Sequence, residues 1–309
     1  MNAWIFPGQG SQAVGMSNGL ESEPARRTFA LAADVLGWDV RAVCAGGPAE
    51  TLGATEVAQP ALLTTSVAAA SVLQANGLRP DLVAGHSLGE FAALVVAGAI
   101  PFEDALRAVN VRGRAMAAAG RARPGGMAAV LGLSLSEVEQ ACLSVPGTVL
   151  VANVNTPDQI VISGERDAVA AAGDALRSAG ARRVIPLAVS VAAHSPLVAG
   201  AAGELRAALA SASIVPPAVG FVSCTSGRTV EDPAAIVDQL VGGVAGRVRW
   251  LDAVRALERA GARSFIEVGP GRVLSSLVRR ILPGAAVLSA GDDDEAALVA
   301  GAITAGVSA

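Results

Sequence analysis

The chain has 309 residues, 52% of them hydrophobic, and a formal net charge of −4 at pH 7. This length fits one large α/β domain carrying an inserted module, and the mildly acidic balance argues against nucleic-acid binding, which favours a basic excess. No apolar run approaches the roughly eighteen residues of a membrane span, and no signal-peptide pattern opens the chain, so we expect a cytoplasmic protein.

The first part of the chain alternates short apolar runs with helical patterns. A glycine-rich loop, residues 7–12, follows the first predicted strand, and ligands collect at the carboxyl ends of strands in open α/β sheets. The patterns predict strands at 3–6 and 82–84 and helices at 61–76, 90–97 and 103–119.

A stretch rich in Arg, Gly and Pro at residues 121–126 predicts a boundary. The order beyond it, βαββαβ, is that of a ferredoxin-like module. We therefore predict a large α/β domain, residues 1–123 and 189–309, interrupted by a ferredoxin-like small domain at 124–188. The module's strands are predicted at 127–131, 149–154, 159–163 and 183–187, its helices at 134–143 and 167–179, and later strands at 219–222, 264–268 and 286–288, before a closing helix after residue 292.

The three cysteines, Cys44, Cys142 and Cys224, are odd in number and lack the spacing of a metal site or a CxxC pair. We expect neither disulfides nor a bound metal, and we expect these side chains to lie in the core. Every basic residue is arginine. Lysine is thereby excluded as a nucleophile, base or Schiff-base former.

Residues 85–89, GHSLG, match the G-x-S-x-G elbow, with a predicted strand before and a helix after. The pattern alone is weak in a chain this rich in glycine and serine, and the strand and helix strengthen it. The elbow predicts that Ser87 is a nucleophile. Its place at a helix N-terminus lets the backbone N–H of Leu88 stabilise an oxyanion.

A nucleophilic serine needs a base, and the chain has two histidines. His86 is adjacent to Ser87, where neighbouring side chains diverge, so it is poorly placed to take the serine proton. His194 is the remaining candidate. The alternative for His194 is a structural histidine with satisfied hydrogen bonds.

Two further features each have two interpretations. Residues 8–13 spell G-x-G-x-x-A after a strand, a possible dinucleotide fingerprint. No acidic residue ends a second strand at the required distance, so we favour the backbone N–H of Gln9 as an oxyanion donor. Arg112, in a largely apolar helix, is either a bidentate clamp on a carboxylate or a surface arginine.

The residues resemble one family along nearly the whole chain: the malonyl-CoA:acyl-carrier-protein transacylases and the related acyltransferase domains of polyketide synthases. Seven ordered motifs over this length are highly specific. They are residues 6–12 (FPGQGSQ), 85–90 (GHSLGE), 111–113 (VRG), 159–164 (QIVISG), His194, 248–250 (VRW) and 267–271 (EVGPG).

The resemblance implies an α/β-hydrolase-like large domain and a ping-pong transfer through an acyl ester on Ser87. His194, held by backbone carbonyls near residue 249, would be the base, Gln9 and Leu88 the oxyanion donors, and Arg112 the partner of a malonyl carboxylate. The substrates would be an acyl-CoA and the phosphopantetheinyl acyl carrier protein. We expect a monomer with no bound cofactor.

Two departures from the family pattern concern the acyl group. Residues 191–193 match neither the malonyl-specific nor the methylmalonyl-specific polyketide domains, and Ala193 is small enough to suggest a pocket for a substituted chain. Arg249 stands where the bacterial fatty-acid enzymes often carry Gln or Asn, which would change the charge of the pocket.

Three alternatives stay open: transfer of another acyl or aminoacyl group, between two carriers for example, hydrolysis of acyl carriers, and non-catalytic carrier binding. An acidic carrier would meet an arginine-bearing surface, for which Arg272, Arg279 and Arg280 are candidates.

Overall fold

Two β-sheets organise the chain in the computed structural model, which describes residues 1–189 and 191–304. Short apolar runs rich in Val, Ile, Phe and Trp form most of its strands, and the side chains of these runs are buried. In chain order the strands are β1 (Asn2–Phe6), β2 (Leu82–Gly85), β3 (Gly125–Leu131), β4 (Val149–Thr156), β5 (Gln159–Glu165), β6 (Arg183–Pro186), β7 (Gly220–Ser223), β8 (Arg228–Thr229), β9 (Ser264–Val268) and β10 (Ala286–Ala290).

Helices cover the larger sheet on both faces and one face of the smaller sheet. Within the described residues, none is long and apolar enough to cross a membrane. They are α1 (Glu23–Leu36), α2 (Val40–Gly46), α3 (Ala49–Gly53), α4 (Thr55–Ala75), α5 (Gly89–Val96), α6 (Phe102–Ala122), α7 (Leu135–Leu143), α8 (Arg166–Ser178), α9 (Ala201–Leu209), α10 (Pro233–Gly242), α11 (Trp250–Arg259), α12 (Val273–Ile281) and α13 (Asp293–Thr304).

The larger sheet has the strand order β10-β9-β1-β2-β7-β8. Its first five strands are parallel, and β8 pairs antiparallel with β7. The carboxyl ends of β1, β2 and β7 therefore lie side by side at one edge. The loops that leave these three strands begin at Pro7, His86 and Cys224.

Helix α4 is buried along most of its length against α1 and α6. It begins at Thr55, earlier than the predicted start at residue 61, because Pro60 lies inside the helix instead of opening it. A proline in the second turn removes one backbone donor, and the packing of the helix on both sides outweighs this loss. The earlier start places Gln59 on a buried turn.

The smaller sheet has the order β4-β5-β3-β6, with every neighbouring pair antiparallel. Its strands and the helices α7 and α8 follow the βαββαβ order, and a capping box of Ser134 and Glu137 opens α7 as predicted. The predicted fold class, a large α/β domain with an inserted ferredoxin-like domain, is confirmed. The limits at 123/124 and 188/189 stay a prediction.

The small domain enters and leaves the large one at a single place. A Cβ on Gly125, at the start of β3, would lie 2.5 Å from the Cβ of Ala192 on the returning chain, so this position has no room for a side chain. A second connection joins the edge strand β4 to the segment before α11: Val154 N–H donates to Val248 O at 2.8 Å, and Val248 N–H donates to Ala152 O at 2.8 Å.

Candidate active site

Ser87 lies on the predicted strand-turn-helix elbow between β2 and α5. Its φ of +53° is in the left-handed region that side chains rarely adopt. The flanking glycines allow this turn, because a Cβ on Gly85 would lie 1.9 Å from the carbonyl carbon of Gly89, and one on Gly89 would lie 2.1 Å from the oxygen of Phe6. The elbow thus depends on the glycines that define its motif.

The side chains of Ser87 and His194 meet at this elbow. Ser87 Oγ lies 2.9 Å from His194 Nε2, and His194 Nδ1 lies 2.9 Å from the carbonyl oxygen of Gly246. Because a carbonyl only accepts hydrogen bonds, Nδ1 carries the proton and the lone pair of Nε2 faces the serine. The structure therefore places these two residues in the geometry of a nucleophile and its base.

His194 is held tightly and kept uncharged. Its side chain is 4% exposed, its φ is +59°, and its backbone N–H donates to Val244 O at 3.2 Å. Burial, together with the positive charge of Arg112, lowers the pKa of His194 to about 3. A neutral imidazole at neutral pH is the form that accepts a serine proton.

Arg112 reaches the same point from α6. It is 4% exposed, its Nη1 donates to Gln59 Oε1 at 2.6 Å, and its Nη2 donates to Ser87 Oγ at 3.3 Å. Burial lowers its pKa to about 10, so it stays charged at neutral pH. Of the two interpretations of this arginine, the surface one is wrong. The sequence pattern predicts the start of this helix, α4, only at residue 61, so it gives no signal for Gln59, which orients the arginine.

A cavity of about 90 Å³ opens beside these side chains. Its polar lining residues are Gln9, His86, Ser87, Arg112, Asn153 and His194. Its apolar lining residues are Met116, Met127, Leu187, Val189, Val191 and Ala193. A small acyl group with a negatively charged end matches a cavity that combines a buried cation with apolar side chains.

Two predicted oxyanion donors lie next to the serine. Gln9 lines the cavity, and its side chain is turned aside by a 3.1 Å hydrogen bond from Nε2 to Thr55 Oγ1. Leu88 follows Ser87 and begins the turn into α5 with its side chain buried. Their role as donors stays a prediction.

Of the two residues predicted to shape the acyl pocket, Ala193 lines the cavity and Arg249 does not. The Arg249 side chain is 48% exposed, with Nη1 3.9 Å from Asp252 Oδ2. Its backbone N–H points inward and donates to Cys224 O at 2.6 Å. The carbonyl that holds His194 belongs to Gly246, three residues before Arg249 in the same segment.

His86, excluded as the base from the sequence, points away from Ser87 Oγ. Its Nε2 lies 3.0 Å from Asn155 Oδ1 on β4, and its ring packs 5.5 Å from that of Trp250. Burial lowers its pKa. This histidine therefore joins the elbow to the small domain.

A groove of about 520 Å³ leads from the elbow to the surface between α12 and the small sheet. Arg272 and Arg280 lie along it. Arg272 pairs with Glu295 at 2.6 Å, and Arg280 pairs with Asp158 of the small domain at 2.5 Å. Arg279, the third candidate for carrier binding, instead donates to Val287 O at 2.9 Å.

Comparison with known proteins identifies the family. The model of the acyl transferase domain matches residues 3–302. The chain belongs to the acyl transferase domain family. This membership agrees with an elbow serine, a neutral histidine and a buried arginine around one small cavity.

Other acyl transferase domain proteins are similar over nearly the full length. The malonyl CoA-acyl carrier protein transacylase of Salmonella typhimurium is 42% identical over 307 residues, 98% of this chain and 98% of that protein. The crystal structure of a malonyl-CoA:acyl carrier protein transacylase from Xanthomonas oryzae superposes with a TM-score of 0.94 at 41% identity, covering 97% and 98% of the two chains. A malonyl-transacylase solved in complex with its type II PKS acyl-carrier protein superposes with a TM-score of 0.93 at 39% identity, covering 97% and 99%.

Proposed function

We propose that this protein moves a malonyl group from CoA to the pantetheine thiol of an acyl carrier protein, in fatty-acid or polyketide synthesis. The observation that carries the proposal is the 3.3 Å contact between Arg112 Nη2 and Ser87 Oγ. A buried cation beside the attacking oxygen suits an acyl group that ends in a free carboxylate. The Salmonella typhimurium relative and the transacylase solved with its PKS carrier protein support the choice of malonyl and carrier.

In the first half of the reaction, Ser87 Oγ attacks the carbonyl carbon of malonyl-CoA while His194 Nε2 takes the serine proton. The backbone N–H groups of Gln9 and Leu88 stabilise the negative charge on the carbonyl oxygen. The C–S bond then breaks, and His194 returns the proton to the departing CoA sulfur. The product is a malonyl ester on Ser87.

The second half reverses these steps with a new thiol. His194 takes the proton of the carrier's pantetheine thiol, the sulfur attacks the ester, and Ser87 leaves with the proton. Throughout, Arg112 holds the free carboxylate, which it can do in bidentate fashion. CoA and the carrier share the pantetheine arm, so one groove, the 520 Å³ groove along α12, serves both.

This chemistry needs no resident cofactor or metal, because the serine, the histidine and backbone amides supply every step. Among the described residues, no cluster of His, Cys, Asp and Glu could hold a metal ion. The three cysteines are free and buried, which suits a reducing compartment. These free thiols support our proposal of a cytoplasmic enzyme. We propose separately that it acts as a monomer.

Intact-mass analysis after incubation with malonyl-CoA tests the proposal. The wild-type protein should gain one malonyl mass, and the Ser87→Ala variant should gain none. Ser211 is an exposed serine, so the control variant Ser211→Ala should be labelled like the wild type. Adding holo acyl carrier protein should move the mass to the carrier. Labelling that persists in Ser87→Ala would overturn the nucleophile, and release of free malonate instead of malonyl carrier would establish a hydrolase.

A further inference from the structure

Cys224, which directly follows β7, contacts three residues at or near the elbow: Ser87, Glu90 and Arg249. Its Sγ lies 3.2 Å from the backbone nitrogen of Ser87, its own N–H donates to Glu90 Oε1 at 2.8 Å, and its carbonyl accepts from Arg249 N–H at 2.6 Å. The side chain is 1% exposed. The proposed mechanism makes no use of this residue.

The contact with Ser87 suggests a role for Cys224, because it satisfies the backbone N–H of the nucleophile. The amide of Ser87 sits on the strained elbow and points into the interior, where a backbone donor without a partner is costly. The thiol of Cys224 provides the acceptor for that N–H at 3.2 Å, while the backbone N–H of Cys224 donates to Glu90 Oε1. Cys224 therefore links the nucleophile's backbone to a buried acid.

The space around this contact is small while the thiol is present. The cavity behind Ser87, lined by Glu90, Arg112, Cys224 and Gly243 among others, has a volume of about 10 Å³. That is at the lower limit for holding a single water molecule. In the wild type, therefore, the thiol and not a water molecule is the partner of the Ser87 amide.

The same cysteine also adjoins the segment that orients the base. Arg249, bound through its backbone to Cys224, lies three residues after Gly246, whose carbonyl holds His194 Nδ1. The elbow that carries the nucleophile and the segment that orients the base thus meet at one residue. The link to the segment uses only the backbone of Cys224, whereas the link to Ser87 uses its sulfur.

We propose that Cys224 is a positioning residue: its thiol fixes the backbone of Ser87 so that Oγ faces His194 and the incoming thioester. The inference rests on the proposed function. Because a misplacement of about 1 Å can cost roughly a hundredfold in rate, loss of the sulfur should slow formation of the acyl ester without weakening the binding of malonyl-CoA, which depends on Arg112. A merely structural cysteine would lower stability and leave the rate of the folded enzyme unchanged.

Single-turnover acylation by malonyl-CoA separates these outcomes. Cys224→Ala should lower the acylation rate constant by roughly ten- to a hundredfold and leave the half-saturating concentration within about twofold of the wild-type value. Cys224→Ser, which keeps a donor and an acceptor, should recover most of the rate. Cys142→Ala is the matched control, since it removes a buried thiol from the small domain, and it should acylate like the wild type.

Amide hydrogen exchange in the peptide that contains Ser87 provides a second measurement, independent of malonyl transfer. Exchange at this amide should be faster in Cys224→Ala than in wild type or in Cys142→Ala. Unchanged protection, an acylation rate within twofold of wild type, or equal rates for the Ala and Ser variants would overturn the proposal. If the wild type takes up no malonyl, the proposed function fails and the exchange measurement alone decides the role of Cys224.

Discussion

Replacing Arg112 by glutamine removes a buried positive charge from the cavity while keeping a polar side chain on the same turn of α6. In the wild type this guanidinium lies 3.3 Å from Ser87 Oγ and is oriented by Gln59. When a malonyl carboxylate binds there, it loses its hydrating water molecules and forms an ion pair with the guanidinium instead. Without the charge, the carboxylate enters a cavity that offers it no counter-ion.

Breaking a buried ion pair by removing one partner costs about 3–5 kcal/mol. Since each 1.36 kcal/mol is a tenfold change in rate, kcat/KM for malonyl-CoA should fall by roughly two to nearly four orders of magnitude. Acetyl-CoA has no carboxylate and loses no ion pair. We therefore expect the rate of acetyl transfer to change by less than about threefold, so that the malonyl-to-acetyl ratio of kcat/KM falls by at least roughly fiftyfold.

Initial acylation rates with malonyl-CoA and acetyl-CoA, followed by intact mass, measure both quantities. Arg114→Gln is the matched control, because Arg114 lies on the same helix and is exposed. It should behave like the wild type with both donors. Equal losses for the two donors in Arg112→Gln would refute the carboxylate contact and leave Arg112 as a residue that only orients the serine.

Three further predictions concern the base, the elbow and the cavity. Because burial lowers the pKa of His194 to about 3, kcat/KM for malonyl-CoA should show no inflection near pH 6.5, whereas a profile that halves there would contradict a buried neutral base. The lowered pKa of His194 should also decrease the free energy of unfolding as the pH falls from 6.5 towards 3, because in this range the histidine is protonated in the unfolded state and neutral in the folded state. Gly85→Ala should fail to fold or lose several degrees of melting temperature, since its Cβ would lie 1.9 Å from backbone, and a wild-type melting curve would show that the elbow is less crowded than described. Ala193→Phe should fill the 90 Å³ cavity and slow malonyl transfer by more than tenfold, and an unchanged rate would place the acyl group elsewhere.

The features predicted best from the sequence are those with a local signal. The elbow is predicted from a motif of five residues with a strand before it and a helix after it. The capping box of α7 is predicted from four consecutive residues. His194 was found by elimination because the chain has two histidines. The family resemblance predicts that Arg112 is a carboxylate clamp and not a surface residue, and the structure buries this arginine beside the elbow.

The unpredicted features depend on contacts between distant parts of the chain. Gln59 lies 53 residues from Arg112, and Cys224 lies 137 residues from Ser87. A buried glutamine or cysteine in an apolar stretch resembles any other core residue until its partner is known. The short helices α2 and α3 and the two-residue strand β8 lack a periodic pattern long enough to detect.

The close approach of Gly125 and Ala192 has a consequence for how the active site comes into existence. His194 follows Ser87 by 107 residues, and the whole small domain lies between them. Since that domain begins and ends at one point, its folding closes a long loop and delivers the histidine two residues beyond the junction. A chain with only its amino-terminal strands in place would hold the serine without its base.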